Sequence, residues 1–285
     1  MRVSASMVIY NTEMGEVVHC IECLLRNGVY DIWVVDNSPK ATDIHCIVGA
    51  KPELAEGSLR YIHRGDNPGY GAAHNCAIRE AEAEGFEAHF AVNTDIAFEP
   101  GVVARLVEQL ECDSEIGQIS PRIISPDGTQ QYAQRLLPTP YDVFGRRFLP
   151  RKMMAGRNRR YMLTERDDAQ VADIPYHQGS FMLFRMEALR EVGGFDERYF
   201  MYPEDIDITR RIHSKYKTIY YPGVSVVHDH RASSYRSMKM LWVHCRNMIK
   251  YFNKWGWWID MERRRVNRAT LEAMGMDRKG RRVTN

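Results

Sequence analysis

Residues 59–95 decide the fold: they contain LRYIH at 59–63, a helical pattern over Gly71–Glu84 and HFAVNTD at 89–95. Two short apolar segments separated by one helix have the spacing of a β-α-β unit, in which both strands run parallel in one sheet. The alternation continues toward the N-terminus, with strands predicted at Val3–Tyr10 and Ile32–Asp36 and a helix at Glu16–Arg26. We therefore predict an α/β fold with a mostly parallel central sheet and flanking helices.

Polar residues follow three of the predicted strands at the points where the strands end. They are Asn11 after the first strand, Asp36-Asn37-Ser38 at the second and Asn93-Thr94-Asp95 at the fourth. Ligands of such sheets bind beyond the carboxyl ends of the strands, so this edge is the predicted ligand site. Asp36 could accept a hydrogen bond from a ribose or base, or form an Asx-turn. Asp95 could hold Mg²⁺ or Mn²⁺, or be a turn residue.

A glycine-rich loop, Asn67-Pro68-Gly69-Tyr70-Gly71-Ala72-Ala73-His74-Asn75, leads into the predicted helix between the third and fourth strands. It differs from a dinucleotide-binding fingerprint, because His74 stands where that motif needs its third glycine and because the loop follows the third strand. Its glycines still allow the backbone to approach a phosphate or a sugar closely. The loop is therefore a candidate for binding a phosphate or a sugar.

The pattern changes from Ile116 onward. A strand is predicted over Ile116–Ile124, followed by a hairpin turn at Pro126-Asp127-Gly128. Residues 133–168 are rich in Pro, Gly and Arg and have no clear period, which predicts a long mobile loop. The remaining predicted elements are strands at Val171–Tyr176, Ser180–Phe184, Lys217–Tyr221 and Ser225–His228, and an amphipathic helix at Met238–Trp255.

Composition bounds the class of protein. The 285 residues are 44% hydrophobic, which is enough for a core, and no apolar run approaches the roughly 18 residues of a membrane span. The six cysteines are scattered, which predicts the reducing cytoplasm rather than a disulfide framework. Basic residues concentrate in Phe144–Arg166 and from Arg263 onward, where they would attract phosphate or form a solvated face and tail. No nucleic-acid-binding motif accompanies them, so nucleic acid is not a predicted partner.

Two adjacent carboxylates follow a glycine turn, Gly193-Gly194-Phe195-Asp196-Glu197, within Tyr202-Pro203-Glu204-Asp205-Ile206-Asp207. Pro203 suits the first turn of a helix, which would place Glu204 and Asp205 at the helix N-terminus. Carboxylates placed there either cap the helix or take a proton from a substrate hydroxyl. His228, at the end of a late strand, is either a structural histidine or a ligand to the same metal ion as Asp95.

In their order and setting, these motifs resemble glycosyltransferase family 2, a family of inverting enzymes with the glycosyltransferase-A fold and its Rossmann-like central sheet. The likeness covers residues 3–235 and is nearest to the rhamnosyltransferase-like and galactofuranosyltransferase-like bacterial members. Asn93 departs from the family's DxD metal motif, which leaves Asp95 as the only carboxylate of that motif. The segments that carry the resemblance are Tyr10-Asn11, Val35–Ser38, Asn67–Asn75, Asn93–Asp95, Gly179–Met182, Gly193–Asp207, and His228 with Ser233-Ser234.

The resemblance implies a role for each of these residues. Asp205 is the expected base for the acceptor hydroxyl, with Glu204 as its alternate or orienting partner, and Asp95 and His228 are the expected ligands of Mg²⁺ or Mn²⁺. Gly179 and Ser180 are expected on the acceptor side. The expected nucleotide- and donor-binding residues are Tyr10, Asn11, Asp36, Asn37, Asn67, Gly69, Gly71, Asn75 and Asn93.

The domains that the resemblance implies are a catalytic domain, residues 1–235, and a C-terminal amphipathic helix with a basic tail, residues 236–285. The catalytic domain would divide into a nucleotide-binding half (1–125) and an acceptor-binding half (126–235) that contains the mobile basic loop 133–168.

The implied activity is inverting transfer from dTDP-rhamnose or a UDP-sugar to a saccharide hydroxyl, in the synthesis of bacterial O-antigen, capsule or cell-wall glycan. The acceptor would be a lipid-linked saccharide or a free glycan terminus. The Trp and Arg/Lys residues of the C-terminal helix predict peripheral contact with the inner membrane. Two alternatives are a non-catalytic nucleotide-sugar-binding module and a sugar nucleotidyltransferase. The second needs a glycine- and lysine-rich signature near the first strand, which Tyr10-Asn11-Thr12 does not provide.

Overall fold

The computed structural model describes residues 1–43, 59–229 and 238–283. Ser233 and Ser234, which belong to the predicted late motif, lie outside this range. The first half alternates strands and helices as the sequence predicts. Its elements are β1 (Val3–Ile9), α1 (Met14–Arg26), β2 (Asp31–Asp36), β3 (Leu59–His63), α2 (Tyr70–Ala83), β4 (Ala88–Val92), β5 (Ile96–Ala97), α3 (Val102–Cys112) and β6 (Ile116–Ile124).

The second half contains short strands and more helices. Its elements are β7 (Gln130–Gln131), β8 (Gln134–Arg135), a π-helical turn (Tyr141–Gly145), α4 (Arg146–Phe148), α5 (Arg151–Tyr161), β9 (Ala172–Asp173), β10 (Tyr176–His177), β11 (Phe181–Arg185), α6 (Met186–Val192), α7 (Glu204–His213), β12 (Lys217–His228), α8 (Met238–Trp255) and α9 (Met261–Ala273).

The described strands form a large mixed sheet in the order β3-β2-β1-β4-β11-β6-β12-β5, with β7 and β9 at its sides. The strands β3, β2, β1 and β4 are parallel, as predicted. Their register pairs Ile9 with Asp36 and Asp36 with His63, so the three strands end at the same level. β11 then runs antiparallel between β4 and β6 and brings the second half of the chain to this edge.

Helices cover both faces of the sheet because each has one apolar side. In α1 the buried residues include Val17, Cys20, Ile21 and Leu24, which have the spacing of one helical face. Cys20 and Cys23 are both buried there, which confirms that this pair packs in the core. One core cluster lies between the sheet and α1 and α3, and a second between the sheet and α2, α6 and α7.

The interpretation of residues 133–168 as a long loop is wrong. Much of this region is helical, with a π-helical turn, α4 and the eleven-residue α5. The region is polar and many of its residues are exposed, so it lacks the apolar periodicity that predicts a helix. Contacts of the buried Arg166 hold the end of this region in place. Arg166, at 5% exposure, donates to Gln134 and to Asp168, and its guanidinium stacks on the ring of Tyr220.

The two late strands predicted at Lys217–Tyr221 and Ser225–His228 are one twelve-residue strand, β12. Pro222 and Gly223 suggest an interruption, but they are accommodated by a shift of register against β6 between Tyr221 and Ser225.

Two C-terminal helices pack against α7. The helix Met238–Trp255 has its predicted bounds, whereas α9 was not predicted. Residue Arg263 of the expected basic tail is buried and donates to the carbonyl oxygens of Pro138 and Trp257. Arg210 of α7 makes a two-point ion pair with Asp260 and also donates to Glu262. These contacts bind the C-terminal helices to the helix that carries the acidic pair.

Candidate active site

The ends of β1 and β2 are linked by a hydrogen bond from the backbone N–H of Asn11 to Oγ of Ser38, at 2.8 Å. Asn11 has a positive φ of 49°, and the exposed Tyr10 precedes it. The side-chain amide of Asn37 donates to the carbonyl of Gly69 at 3.4 Å, which joins the second strand end to the glycine-rich loop. The structure thus brings four of the predicted nucleotide-binding residues to one edge of the sheet.

Asp36 is fully buried, and both of its carboxylate oxygens are occupied. Oδ1 accepts from the N–H of Ser38 at 2.8 Å, and Oδ2 accepts from the N–H of Thr42 at 2.9 Å and from the hydroxyl of Tyr61 at 2.6 Å. Although burial opposes ionisation, these hydrogen bonds lower the pKa of Asp36 to about 2. The Asx-turn interpretation is therefore confirmed, and direct contact with a nucleotide stays a prediction.

The glycine-rich loop is held against the residues before α7. Gly69 has a φ of +104°, and a Cβ there would overlap the carbonyl oxygen of Phe200. Asn67 also has a positive φ, of 44°. The amide of Asn75 exchanges hydrogen bonds with the backbone of Phe195 at 2.8 and 2.9 Å. Asn75 therefore fixes the glycine turn.

Gly71 also faces that turn. A Cβ at Gly71 would lie 2.9 Å from Cβ of Phe195, so only glycine fits without displacing that residue. Gly71 and Asn75 thus join the donor loop to the segment that precedes the acidic pair.

Tyr70 connects the predicted metal motif to the predicted acceptor segment. Its hydroxyl lies 2.9 Å from Oδ1 of Asn93 and 2.8 Å from the carbonyl oxygen of Gly179. The N–H of Asn93 donates to the carbonyl of Ser180 at 2.9 Å because β11 pairs with β4 next to these residues. The predicted acceptor segment and the predicted metal motif are therefore adjacent.

Asp95 and His228 are brought together by the pairing of β12 with β5, in which His228 lies opposite Ile96. Oδ1 of Asp95 lies 3.3 Å from Nε2 of His228. Nδ1 of His228 lies 3.0 Å from Oε1 of Gln131, so in the neutral imidazole Nδ1 donates to this oxygen and Nε2 is the candidate metal ligand. This arrangement, an imidazole oriented by a carbonyl oxygen next to a carboxylate, is the one that metal-binding histidines adopt.

A cavity of about 300 Å³ opens beside Asp95. Its lining contains the carboxylates of Glu13, Glu16, Asp95 and Asp229. An acidic lining repels a diphosphate and attracts a divalent cation. Among the described residues no group of three or more His, Cys, Asp and Glu side chains is arranged to hold a metal. The pair of Asp95 and His228 supplies one carboxylate and one imidazole, which fit an ion that takes further oxygens from a ligand.

The acidic pair begins α7. Pro203 is the N-cap residue and makes no side-chain capping hydrogen bond, so the first-turn hydrogen bond from a side chain comes from Asp205 instead. Oδ2 of Asp205 accepts from the N–H of Gly179 at 3.0 Å and lies 3.4 Å from the hydroxyl of Tyr176, while Oδ1 accepts from the N–H of Ile206. Asp205 is thus oriented at both oxygens.

Burial separates the ionisation of the two acids. It raises the pKa of Asp205 to about 7, against the opposing effect of hydrogen bonds from Gly179 and Ile206 and of the charge on Arg135. Burial, together with the charge of Asp205, raises the pKa of Glu204 well above its ordinary value. Burial thus favours the protonated form of Glu204, and a pKa of about 7 leaves Asp205 partly ionised at neutral pH, which is the state of a general base.

Three residues of the site were missed from the sequence: Arg135, Tyr176 and Gln131. Arg135 lies in β8 and Tyr176 in β10, and the pairing of these two-residue strands places both beside Asp205. Strands this short leave no alternation to detect, so the sequence carries no signal for them. Gln131 lies beyond the predicted hairpin turn, and its partner His228 is 97 residues away.

Comparison with known proteins finds relatives in sequence. The chain is 30% identical over 191 residues to an N-acetylglucosaminyl-diphospho-decaprenol L-rhamnosyltransferase of Mycobacterium tuberculosis, covering 62% of this chain and 60% of the relative. It is also 37% identical over 76 residues to rhamnosyltransferase WbbL of Escherichia coli K12, covering 26% of this chain and 28% of that protein. The chain thus spans about 60% of the length of the mycobacterial relative.

Two similar solved structures have the same fold. A mannosyltransferase of Pyrobaculum calidifontis in complex with GDP-Man and Mn²⁺ superposes with a TM-score of 0.57 at 18% identity, covering 89% of this chain and 63% of that one. GalNAc-T7 with UDP, GalNAc and Mn²⁺ has a TM-score of 0.58 at 15% identity, covering 80% and 43%. The expected glycosyltransferase-A fold is confirmed.

The family model of glycosyl transferase family 2 matches residues 4–193, which include the strand ends, the donor loop and Asp95. The acidic pair and His228 lie beyond that match, so the match does not test their roles. The chain belongs to glycosyltransferase family 2.

Proposed function

We propose that this glycosyltransferase transfers a sugar from a nucleotide-diphosphate donor to a saccharide hydroxyl with inversion, and that Asp205 is the base. The observation that carries the proposal is the state of Asp205: it is buried, held at both oxygens, and has a pKa near neutrality. The acceptor oxygen forms a bond to the anomeric carbon while the bond to the diphosphate breaks, and the hydroxyl proton passes to Asp205.

Glu204 serves a different purpose from Asp205. Burial raises its pKa well above the ordinary value and so favours the protonated carboxyl group, which is a hydrogen-bond donor. Oε2 of Glu204 is buried and has no hydrogen-bond partner among the described residues. A substrate hydroxyl is the natural partner for this group. We therefore assign Glu204 to orient a substrate, and Asp205 to accept the proton.

The leaving diphosphate needs positive charge, which the acidic lining of the neighbouring cavity does not supply. Asp95 and His228 would hold Mg²⁺ or Mn²⁺, and the ion would neutralise the diphosphate. The Mn²⁺ in the two similar structures supports this assignment. Asn93 stands at the position of the first acid of the DxD motif. Its side chain accepts a hydrogen bond from Tyr70, and its N–H donates to the carbonyl oxygen of Ser180, next to β11.

Rhamnose is the sugar that the relatives favour, since both named proteins are rhamnosyltransferases. The mycobacterial relative is named for a decaprenol-linked acceptor, and on this ground we propose a lipid-linked saccharide as the acceptor here. The corresponding pathway is the synthesis of a bacterial cell-surface polysaccharide.

Contact with a membrane surface is part of the proposal. Of the thirteen large exposed hydrophobic residues in the described ranges, three lie in 141–153 and six in 238–261. They include Trp242 and Trp258, at 61% and 67% exposure. None of the described helices is both long and apolar enough to cross a membrane. Flotation with liposomes containing anionic lipid tests the contact, and no binding at low salt would contradict it.

The test of transfer is the release of nucleotide diphosphate from a panel of dTDP-, UDP- and GDP-sugars, with Mn²⁺ or with EDTA. We expect metal-dependent release that rises with acceptor for one donor and is abolished in Asp205→Asn, while that donor still stabilises the variant against thermal unfolding. Donor binding without release in the wild-type enzyme would indicate the non-catalytic module instead. Full turnover by Asp205→Asn would remove Asp205 from the mechanism.

A further inference from the structure

A second cavity, of about 360 Å³, lies between the basic helix α5 and the C-terminal helix α9. It is lined by Tyr141 and Trp258 and by four arginines, of which Arg157, Arg160 and Arg264 lie toward its open side while Arg263 is buried. None of these residues belongs to the donor site described above.

The arginines of this cavity outnumber the carboxylates that neutralise them. Arg157 is paired with Asp142 at 2.7 Å. Among the described residues, Arg160 and Arg264 instead donate to backbone carbonyls, those of Arg278 and Trp258. Burial, and the neighbouring charge of Arg157, lower the pKa of Arg160, although Asp142 opposes this. A bound anion would relieve this excess of positive charge.

The rim of the cavity is apolar and exposed. Tyr141 and Trp258 are 39% and 67% exposed, and Ile259 and Met261, which follow Trp258 in the chain, are 78% and 68% exposed. Aromatic rings next to cationic side chains occur at the boundary between lipid headgroups and acyl chains. The cavity therefore combines an anion-binding interior with an edge that fits an apolar chain.

We propose that this cavity binds the phosphate group of an amphiphile, a phosphate or diphosphate ester with an apolar tail, with Arg160 and Arg264 on the phosphate and Trp258 on the tail. Guanidinium groups bind phosphate oxygens in two-point contacts, which a lysine cannot make. The site rests on the membrane contact proposed above, and it gives that contact a specific ligand.

Binding of farnesyl diphosphate to the full chain tests the proposal. The titration is done by calorimetry in EDTA, which prevents binding of the diphosphate at a metal, with inorganic diphosphate and farnesol as the two other probes. We expect farnesyl diphosphate to bind at least about tenfold more tightly than either probe. The double substitution Arg160→Gln/Arg264→Gln should weaken its binding by about tenfold or more.

The chain offers a matched control, since Arg159 and Arg265 are the sequence neighbours of the two arginines and do not line the cavity. Arg159→Gln/Arg265→Gln removes the same charge and should change the affinity by less than about threefold. Equal losses in the two double variants would show unspecific attraction and overturn the site. Equal affinity for inorganic diphosphate would show that no lipid is recognised.

Two further variants keep the test independent of folding and of catalysis. Trp258→Ala changes an exposed residue and should weaken the binding of farnesyl diphosphate but not that of inorganic diphosphate. An unchanged affinity for farnesyl diphosphate would contradict the assigned contact between Trp258 and the tail. Asp205→Asn, which abolishes the proposed transfer, should bind farnesyl diphosphate like the wild-type enzyme. If the proposed transferase activity were not found, the measured binding of farnesyl diphosphate would still stand. If the wild-type enzyme did not bind farnesyl diphosphate, the proposed site in this cavity would be refuted, but the transferase function would not.

Discussion

Asp205→Asn should make the enzyme more stable at alkaline pH while it removes the activity. Burial raises the pKa of Asp205 from 3.8 to about 7, so the folded state holds this proton more tightly than the unfolded state does. The wild-type enzyme therefore loses stability as the pH rises from about 4 to about 7, and above 7 the loss is complete. The difference between the two pKa values corresponds to about 4 kcal/mol, which is an upper limit.

Part of the stabilisation that Asp205→Asn gains at alkaline pH is offset by the loss of a hydrogen bond. Asp205 accepts from Ile206 at one oxygen and from Gly179 at the other, whereas asparagine has one oxygen. A buried donor left without its acceptor costs about 1–3 kcal/mol at any pH. The net stabilisation at pH 8 is then about 1–3 kcal/mol, and at pH 4.5 the variant should be no more stable than the wild type.

Urea unfolding followed by tryptophan fluorescence measures the free energy of unfolding of the variant and of the wild type at pH 8 and at pH 4.5. Asp207→Asn is the matched control, since Asp207 lies in the same helix and is fully buried but accepts from Lys254, Trp255 and Arg211. Breaking this ion-pair network should destabilise the protein by about 3 kcal/mol at pH 8. If Asp205→Asn were destabilising by the same amount at both pH values, burial of a charge at Asp205 would be the wrong explanation.

Three other outcomes are expected. The value of kcat/KM should rise with pH up to about 7, because Asp205 must lose its proton to act as a base, and a flat profile from pH 5.5 to 8 would contradict this. His228→Ala should abolish the stabilisation of the donor complex by Mn²⁺ in a thermal-shift assay, and an unchanged metal response would exclude His228 as a ligand. Gly69→Ala should lower the free energy of unfolding by about 3 kcal/mol or more, since a Cβ would overlap the backbone of Phe200. Gly85→Ala is the control, because Gly85 has a φ of +76° but open space around it, and it should lower the free energy of unfolding by about 1 kcal/mol in the same assay. Equal costs would show that the close approach to Phe200 is not what requires glycine.

The parallel half of the sheet could be predicted because its strands and helices each bury one full face. The apolar spacing of α1 indicates a helix, and the short, mostly apolar runs of β2 and β4 indicate buried strands. Asn11, Asp36 and Asp95 could then be placed at one edge from strand polarity alone.

The second half of the chain could not be predicted to the same degree, because long-range contacts decide its structure. The helix α5 has few buried residues of its own and was interpreted as a loop. The pairing of His228 with Ile96 spans 132 residues in sequence and has no local signature. Which acid of the pair is the base could not be decided either, since the answer depends on hydrogen bonds from Gly179 and on the charge of Arg135.

The ion pair between Arg210 and Asp260 has a consequence for the biosynthesis of the protein. Arg210 is buried, and its carboxylate partners lie about fifty residues further along the chain. During translation, α7 emerges long before Asp260 and Glu262 are made, and until then a guanidinium has no acid to neutralise it in the closed core. Docking of α7 before that point would bury an unpaired charge, so the C-terminal segment contributes the acids that allow the helix with the acidic pair to pack in the core.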